Sequence, residues 1–313
     1  MSGTTIKQAL EWARDSLETG GAESPGLAAQ WLLTAATGLS RSELHACGDQ
    51  LLTVAQNDTL GDYLKRHLAG EPLQYCVGKA AFRYLEFRVR PGVLIPRPET
   101  EVLVDTVIAD LQKRRAGEKP CGRSSQAAQV AQMVCPARVL DLCTGTGCIA
   151  LSLLYECPDT QVVATDIDSV AIESIRENAR ELGFDEGERL KILHDDLACS
   201  LLADEANRQT FDVVVSNPPY IPTSELEKLP NEVANYEPRR ALDGGTDGLE
   251  VFRRIVEQAR VLLAPHGLLA CELHEETLEQ ARAICEAAGF SDVRIHPDLT
   301  TRPRIITALN DSG

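Results

Sequence analysis

From Ala137 onward the chain alternates short apolar runs with amphipathic stretches, and that alternation restricts the fold more than any other feature. Ala137–Leu142, Gln161–Thr165, Leu190–Leu193, Phe211–Ser216 and His266–Cys271 read as strands. Cys148–Cys157, Ser169–Leu182, Val251–Leu263 and Glu275–Ala288 read as helices between or after them. Strands that alternate with helices imply a parallel sheet covered on both faces. Val293–His296 and Arg304–Leu309 have no helix between them, so they are expected to pair as an antiparallel hairpin at the sheet edge. The fold class is therefore α/β, Rossmann-like, with a seven-stranded mostly parallel sheet.

The stretch before this sheet reads differently. At 313 residues the chain is longer than one core usually serves. Residues 1–70 read as a small helical domain. Ile6, Leu10, Ala13 and Leu17 recur at helical spacing, and Gly20-Gly21 stop the run. A second helix follows Pro25, with Leu27, Trp31 and Ala35 on one face. Ser40-x-x-Glu43 has the form of a capping box, and 56–69 make a further helix. Residues 71–97 form a connecting segment in which Phe82, Leu85, Phe87 and Val89 suggest a strand pair turning near Pro91-Gly92. Pro98 suits the first turn of a helix reaching about Arg115, at the start of a domain over 98–313. Residues 116–136, rich in Ala, Gln, Ser and Gly, read as a flexible linker.

Bulk properties exclude several roles. A net charge of −16 argues against DNA as the main partner, because displacing counterions from phosphates needs a basic surface. There is no apolar run of membrane-spanning length and no signal segment, so a cytoplasmic protein with no membrane partner is expected. Ten cysteines contain no C-x-x-C pair and read as reduced thiols, with no metal expected.

Two stretches carry chemistry. In the first, strand Ala137–Leu142 runs into Cys143, Thr144, Gly145, Thr146 and Gly147, a glycine turn that opens a helix. Asp166 ends the next strand, where a carboxylate can accept both hydroxyls of a ribose. Asp196, after the third strand, fits an acceptor for an adenine amino group; His194-Asp195-Asp196 also suits a helix cap. Taken alone, this loop serves NAD as well as S-adenosylmethionine, since Gly145-x-Gly147-x-x-Ala150 satisfies a dinucleotide fingerprint.

The second stretch separates them. Phe211–Ser216 reads as a buried strand that stops at Asn217-Pro218-Pro219-Tyr220. Asn217 is thereby held extended at the lip of the sheet, where open α/β sheets bind ligands. Its side-chain oxygen and the carbonyl of Pro218 can each accept from one NH2 group, and Tyr220 can lay a ring beside it. The string resembles the motif of methyltransferases that modify exocyclic or amide nitrogens, which favours S-adenosylmethionine as cofactor. Arg97 and Glu99, at a helix start, are expected in the wall of the same site.

Gly70–Tyr75, Leu94–Glu101, Asp141–Gly147, Ser216–Tyr220, Tyr236-Glu237-Pro238 and Ala241–Leu249 occur together and in order. The set resembles the peptide chain release factor glutamine methyltransferase (PrmC/HemK) family over nearly the whole chain. The resemblance implies S-adenosylmethionine-dependent N5-methylation of the glutamine in the Gly-Gly-Gln motif of class I release factors. A DNA or RNA amino-methyltransferase with the same four-residue string is the alternative. It also implies that Cys143–Gly147, Asp166, Leu197 and Asn217 line the cofactor, while Asn217, Pro218, Pro219 and Tyr220 hold the glutamine. In two places the chain departs from the family pattern. Cys143 stands where glycine is usual, and Leu197 where a tryptophan is often found beside the adenine.

Overall fold

The computed structural model describes residues 3–117 and 136–311, so the linker expected over 116–136 lies almost wholly outside the described residues. The chain divides into two compact units, Met1–Lys79 with Pro230–Tyr236, and Ala80–Leu229 with Glu237–Gly313. No helix among the described residues is long and apolar enough to cross a membrane.

The first unit is helical. Ile6–Thr19, Arg41–Ala46 and Val54–Leu68 each open on a capping box, formed by Thr5 with Gln8, Ser40 with Glu43, and Thr53 with Gln56. In each, two backbone donors at the helix start are satisfied reciprocally. The helix Pro25–Thr37 corrects the sequence reading. Its buried side is Ala28, Ala29, Leu32 and Leu33, whereas Leu27 is 51% exposed and Ala35 is exposed. This helix is apolar around most of its circumference, so periodicity alone does not choose a face. Alanines allow a close approach to Ala9 and Ala13 of the first helix, in one cluster with Leu17, Leu60 and Leu64. The short helix Asn231–Tyr236 belongs to this unit, and the Tyr236 hydroxyl donates to the Ala69 carbonyl at 3.1 Å.

The second unit starts with a two-stranded sheet, β1 (Lys79–Phe82) and β2 (Leu85–Arg88). Its turn is Arg83-Tyr84 rather than Pro91-Gly92. Arg83 takes the left-handed conformation at φ +54° and is tied to Glu156 and to the Glu101 carbonyl. Pro91-Gly92 instead leads into the loop before the helix Thr100–Arg115.

The main sheet holds β3 (Ala137–Leu142), β4 (Thr160–Asp166), β5 (Leu190–His194), β6 (Phe211–Ser216), β7 (Leu263–Glu272), β8 (Ser291–Pro297) and β9 (Pro303–Asn310). Their order is β5-β4-β3-β6-β7-β9-β8. The first five pair in parallel, and β9 pairs antiparallel with both β7 and β8, as the helix-free hairpin requires. Every residue of β6 is buried, because helices cover both faces of the strand. Val213 and Val215 join one core with Val139, Ile149 and Leu103, while Val214 points into the other with Leu140, Phe252 and Leu269. From β3 the chain steps to β4 on one side and later to β6 on the other. The reversal leaves a crevice beyond the carboxyl ends of β3 and β6.

Candidate active site

A cavity of about 830 Å³ occupies that crevice within the second unit. Its walls come from the ends of β3, β4 and β6, the loop 92–97, the start of the helix Thr100–Arg115, and the segment 238–246. Sites for drug-sized ligands run to ~300–1,000 Å³, so there is room for a nucleoside-bearing cofactor and a substrate side chain together.

The turn after β3 is held by its own polar groups. Thr144 donates from Oγ1 to Asp141 at 2.6 Å and from its amide to the Thr165 carbonyl at 3.0 Å. Asp141 is fully buried, and burial pushes its carboxyl up to about 7. Cys143 adopts φ +58°, a left-handed conformation that costs a residue with a Cβ on the order of 1–3 kcal/mol. The departure from glycine noted above is therefore a strained position, and Cys143 lines the cavity. Thr144, Gly145 and Thr146 also line it. Gly147 does not. With φ +83°, a Cβ there would lie 2.5 Å from Ile175, so this glycine allows the two helices to approach.

At the end of β4, Asp166 accepts from the amide of Gly145 at 3.0 Å and that of Asp168 at 2.9 Å. Each oxygen keeps a further lone pair for a ligand hydroxyl. Burial raises its pKa, with the backbone donors pulling the other way. Of the acidic pair after β5, Asp195 caps the next turn by accepting from the Ser200 amide and hydroxyl. Asp196 lines the cavity and holds Arg254 at 2.7 Å, beside the buried Leu197. These carboxylate acceptors fit the hydroxyls and exocyclic amine of an adenosine.

Across the cavity stands Asn217, which lines it together with Pro219, Arg97 and Thr100. The Asn217 Nδ2 donates to Thr100 Oγ1 at 3.0 Å, and that hydroxyl donates to Glu272 Oε2 at 2.7 Å. Tyr220 donates to the other oxygen of Glu272 at 3.4 Å. Burial pushes the Glu272 carboxyl up to about 7 and raises the Tyr220 hydroxyl well above its ordinary range, so Tyr220 stays neutral. Arg97 makes a bonded pair with the buried Glu237 at 2.7 Å to each oxygen. Pro218, Tyr220 and Glu99 flank the site without lining the cavity. Glu272 was not singled out from sequence, and Thr100, Glu237, Pro238 and 241–246 stood there only within the motif stretches, with no role in the site. A glutamate ending the apolar run Leu268–Cys271 is the one signal that could have marked Glu272.

Asp141 and Glu272 carry a stability consequence. A carboxyl whose folded pKa lies above its unfolded value stabilises the fold fully below pH ~4, and that contribution is lost as pH rises through about 7. Asp166 acts in the same direction, and the half-buried His296, with its pKa lowered, partly opposes it. Stability is expected to fall by roughly 2–5 kcal/mol between pH 5 and pH 8. Denaturant titration at the two pH values measures it; equal midpoints would contradict the burial of these groups.

Comparison with known proteins agrees with this architecture. Residues 8–78 match the family described as "PrmC N-terminal domain", and residues 127–232 match the "Methyltransferase small domain". The chain is 35% identical over 307 residues to a release factor glutamine methyltransferase from Caulobacter vibrioides, covering 98% of this chain and 97% of that one. A protein of the same description from Moorella thermoacetica is 37% identical, covering 97% and 98%. Among solved structures, the hMettl16 catalytic domain superposes with a TM-score of 0.50 at 15% identity, over 81% of this chain and 82% of that one, a likeness of fold alone. With such identity along the full length of both relatives, and the methyltransferase fold beneath it, the chain belongs to the release factor glutamine methyltransferase family.

Proposed function

We propose that this enzyme methylates N5 of the glutamine side chain in the Gly-Gly-Gln motif of class I peptide chain release factors, in the cytoplasm. The observation that carries the reading is Asn217: its amide stands at the end of β6 on the cavity wall, with its NH2 group already engaged by Thr100. What it offers a ligand is the oxygen, an acceptor for a carboxamide N–H.

S-adenosylmethionine is the methyl donor, and when bound it supplies an electrophilic methyl group on a sulfonium. Asp166 would hold the ribose hydroxyls, Asp196 the adenine amine, Leu197 the adenine face, and the turn 143–146 the amino-acid end. The substrate nitrogen is a poor nucleophile because its lone pair is delocalised. Asn217 Oδ1 on the cavity wall and the Pro218 carbonyl beside it would accept its two N–H bonds and fix it in line, with Pro219 walling the amide, Arg97 at the rim, and Tyr220 and Glu99 flanking the site from behind. Positioning of this kind contributes up to ~7–11 kcal/mol in favourable cases. The methylated amide is acidic enough to lose its extra proton to water.

The test is incubation with labelled S-adenosylmethionine and either a release factor or DNA. Label on the Gly-Gly-Gln peptide is expected; label on a nucleic-acid base instead would overturn the assignment. Asp166→Ala is expected to weaken S-adenosylmethionine binding by roughly 1.5–3 kcal/mol, as for a lost hydrogen bond to a charged group. Calorimetry reads this directly, and unchanged affinity would move the ribose elsewhere.

A further inference from the structure

Glu272 is a carboxylate that the reaction above does not use, yet it is 1% exposed. Burying such a group is costly unless the site gains something from it. Its neighbours come from four elements. Thr100 of the helix Thr100–Arg115 and Tyr220 beyond β6 donate to it; Arg304 of β9 favours its charge, and Glu99 before the helix opposes it. As the last residue of β7, it follows Cys271, which pairs with Ser216, the residue before Asn217.

We infer that Thr100 and Glu272 are positioning residues, a hydrogen-bonded file Glu272–Thr100–Asn217 that decides which end of the Asn217 amide faces the cavity. The inference rests on the reading of Asn217 as the acceptor for the substrate amide. A threonine hydroxyl has a single hydrogen. An ionised Glu272 only accepts, so Thr100 must give it that hydrogen and keeps only lone pairs for its other neighbour. Asn217 must then present its NH2 to Thr100, which turns Oδ1 to the substrate. When Glu272 is protonated it can donate to Thr100, and the hydroxyl is released to donate to Oδ1. The amide then rotates, shows its NH2 to the cavity, and meets a substrate N–H with another donor.

Glu272 thereby acts as a switch on orientation, active when ionised. With its carboxyl at about 7, kcat is expected to rise with pH through that region and level off above it. Asp141 titrates in the same region, so the limb belongs to Glu272 only if an isosteric change removes it.

The experiment uses the whole enzyme with a release factor as methyl acceptor. Wild-type kcat is measured from pH 5.5 to 8.5, and Glu272→Gln, Thr100→Val, Thr100→Ser and Asn217→Ala are compared. Glutamine can donate to Thr100 at every pH. Glu272→Gln is expected to lose roughly tenfold in kcat at pH 8, with the acid limb gone and the S-adenosylmethionine Kd unchanged within about twofold. Thr100→Val should fall similarly, and Thr100→Ser, which keeps the hydroxyl, should recover to within about threefold of wild type. A flat wild-type profile, an acid limb that survives in Glu272→Gln, or a Thr100→Ser variant as impaired as Thr100→Val would each overturn the file. Asn217→Ala separates the two levels. An inactive Asn217→Ala beside a normal Glu272→Gln rejects only the file, whereas an active Asn217→Ala rejects the acceptor reading beneath it.

Discussion

Asn217→Ala is expected to lower turnover by about 10³-fold or more while S-adenosylmethionine affinity changes by less than about fivefold. Removal of one positioned hydrogen-bonding group from the reacting centre costs on the order of 10²–10³ in kcat elsewhere. Here the loss should be at the upper end, since the amide nitrogen has little reactivity of its own and depends on being aimed. Asp166, Asp196, Leu197 and the turn after β3 all stand on the cavity wall, and the proposed site shares cofactor binding among them, so one missing contact should weaken it little. Single-turnover kinetics with saturating S-adenosylmethionine, read beside calorimetry, separate the two effects. Turnover within tenfold of wild type would remove Asn217 from the reaction.

The second large effect is expected at Gly248. Its φ is +75°, and an added Cβ would lie 2.4 Å from the Tyr220 carbonyl and 3.3 Å from Pro222. Backbone, not a flexible side-chain tip, is what it meets. The neighbouring strands of chain are tied across the same spot. Ile221 donates to the Leu242 carbonyl at 2.9 Å, Gly244 donates to Ile221 at 2.8 Å, and Thr223 donates to Gly245 at 2.9 Å. Moving one strand breaks the others. Overpacking costs ~1–3 kcal/mol and the left-handed conformation a further ~1–2, so Gly248→Ala should lose roughly 2–5 kcal/mol of stability. Because Asp243 to Thr246 line the cavity and Tyr220 ends the acceptor motif, kcat should drop by at least about tenfold in the folded fraction. Chemical denaturation and turnover on the same preparation check this. Wild-type values in both would show that the segment yields freely.

The central strands were legible because burial on both faces leaves an unmixed apolar run. β3 and β6 occur over Ala137–Leu142 and Phe211–Ser216, the bounds read from sequence. β7 was read short, as His266–Cys271: Pro265 interrupts the run on one side and the charged Glu272 ends it on the other. The strand runs from Leu263, and a register shift between Phe211 and Val213 absorbs the proline. Trimming that strand hid Glu272, its last residue. The helix Pro25–Thr37 was placed on the wrong face because Ala, Leu and Trp surround it and only a neighbour's alanines choose the side. Motif residues such as Asn217, Asp166 and Asp196 announced themselves through strand ends, which local sequence marks. The Arg97–Glu237 pair spans 140 positions and Thr100–Glu272 spans 172; no local pattern encodes either.

The two acid groups that end β7 and stand near the end of β3 set an antagonism between endurance and readiness. Mild acid, by filling Asp141 and Glu272 with protons, toughens the molecule against heat and denaturant. On the orientation proposed for Asn217, the proton on Glu272 would at the same time unset the carboxamide that is to greet the substrate. An enzyme selected only for robustness would replace both with neutral isosteres; one kept at work near neutrality tolerates the weaker scaffold.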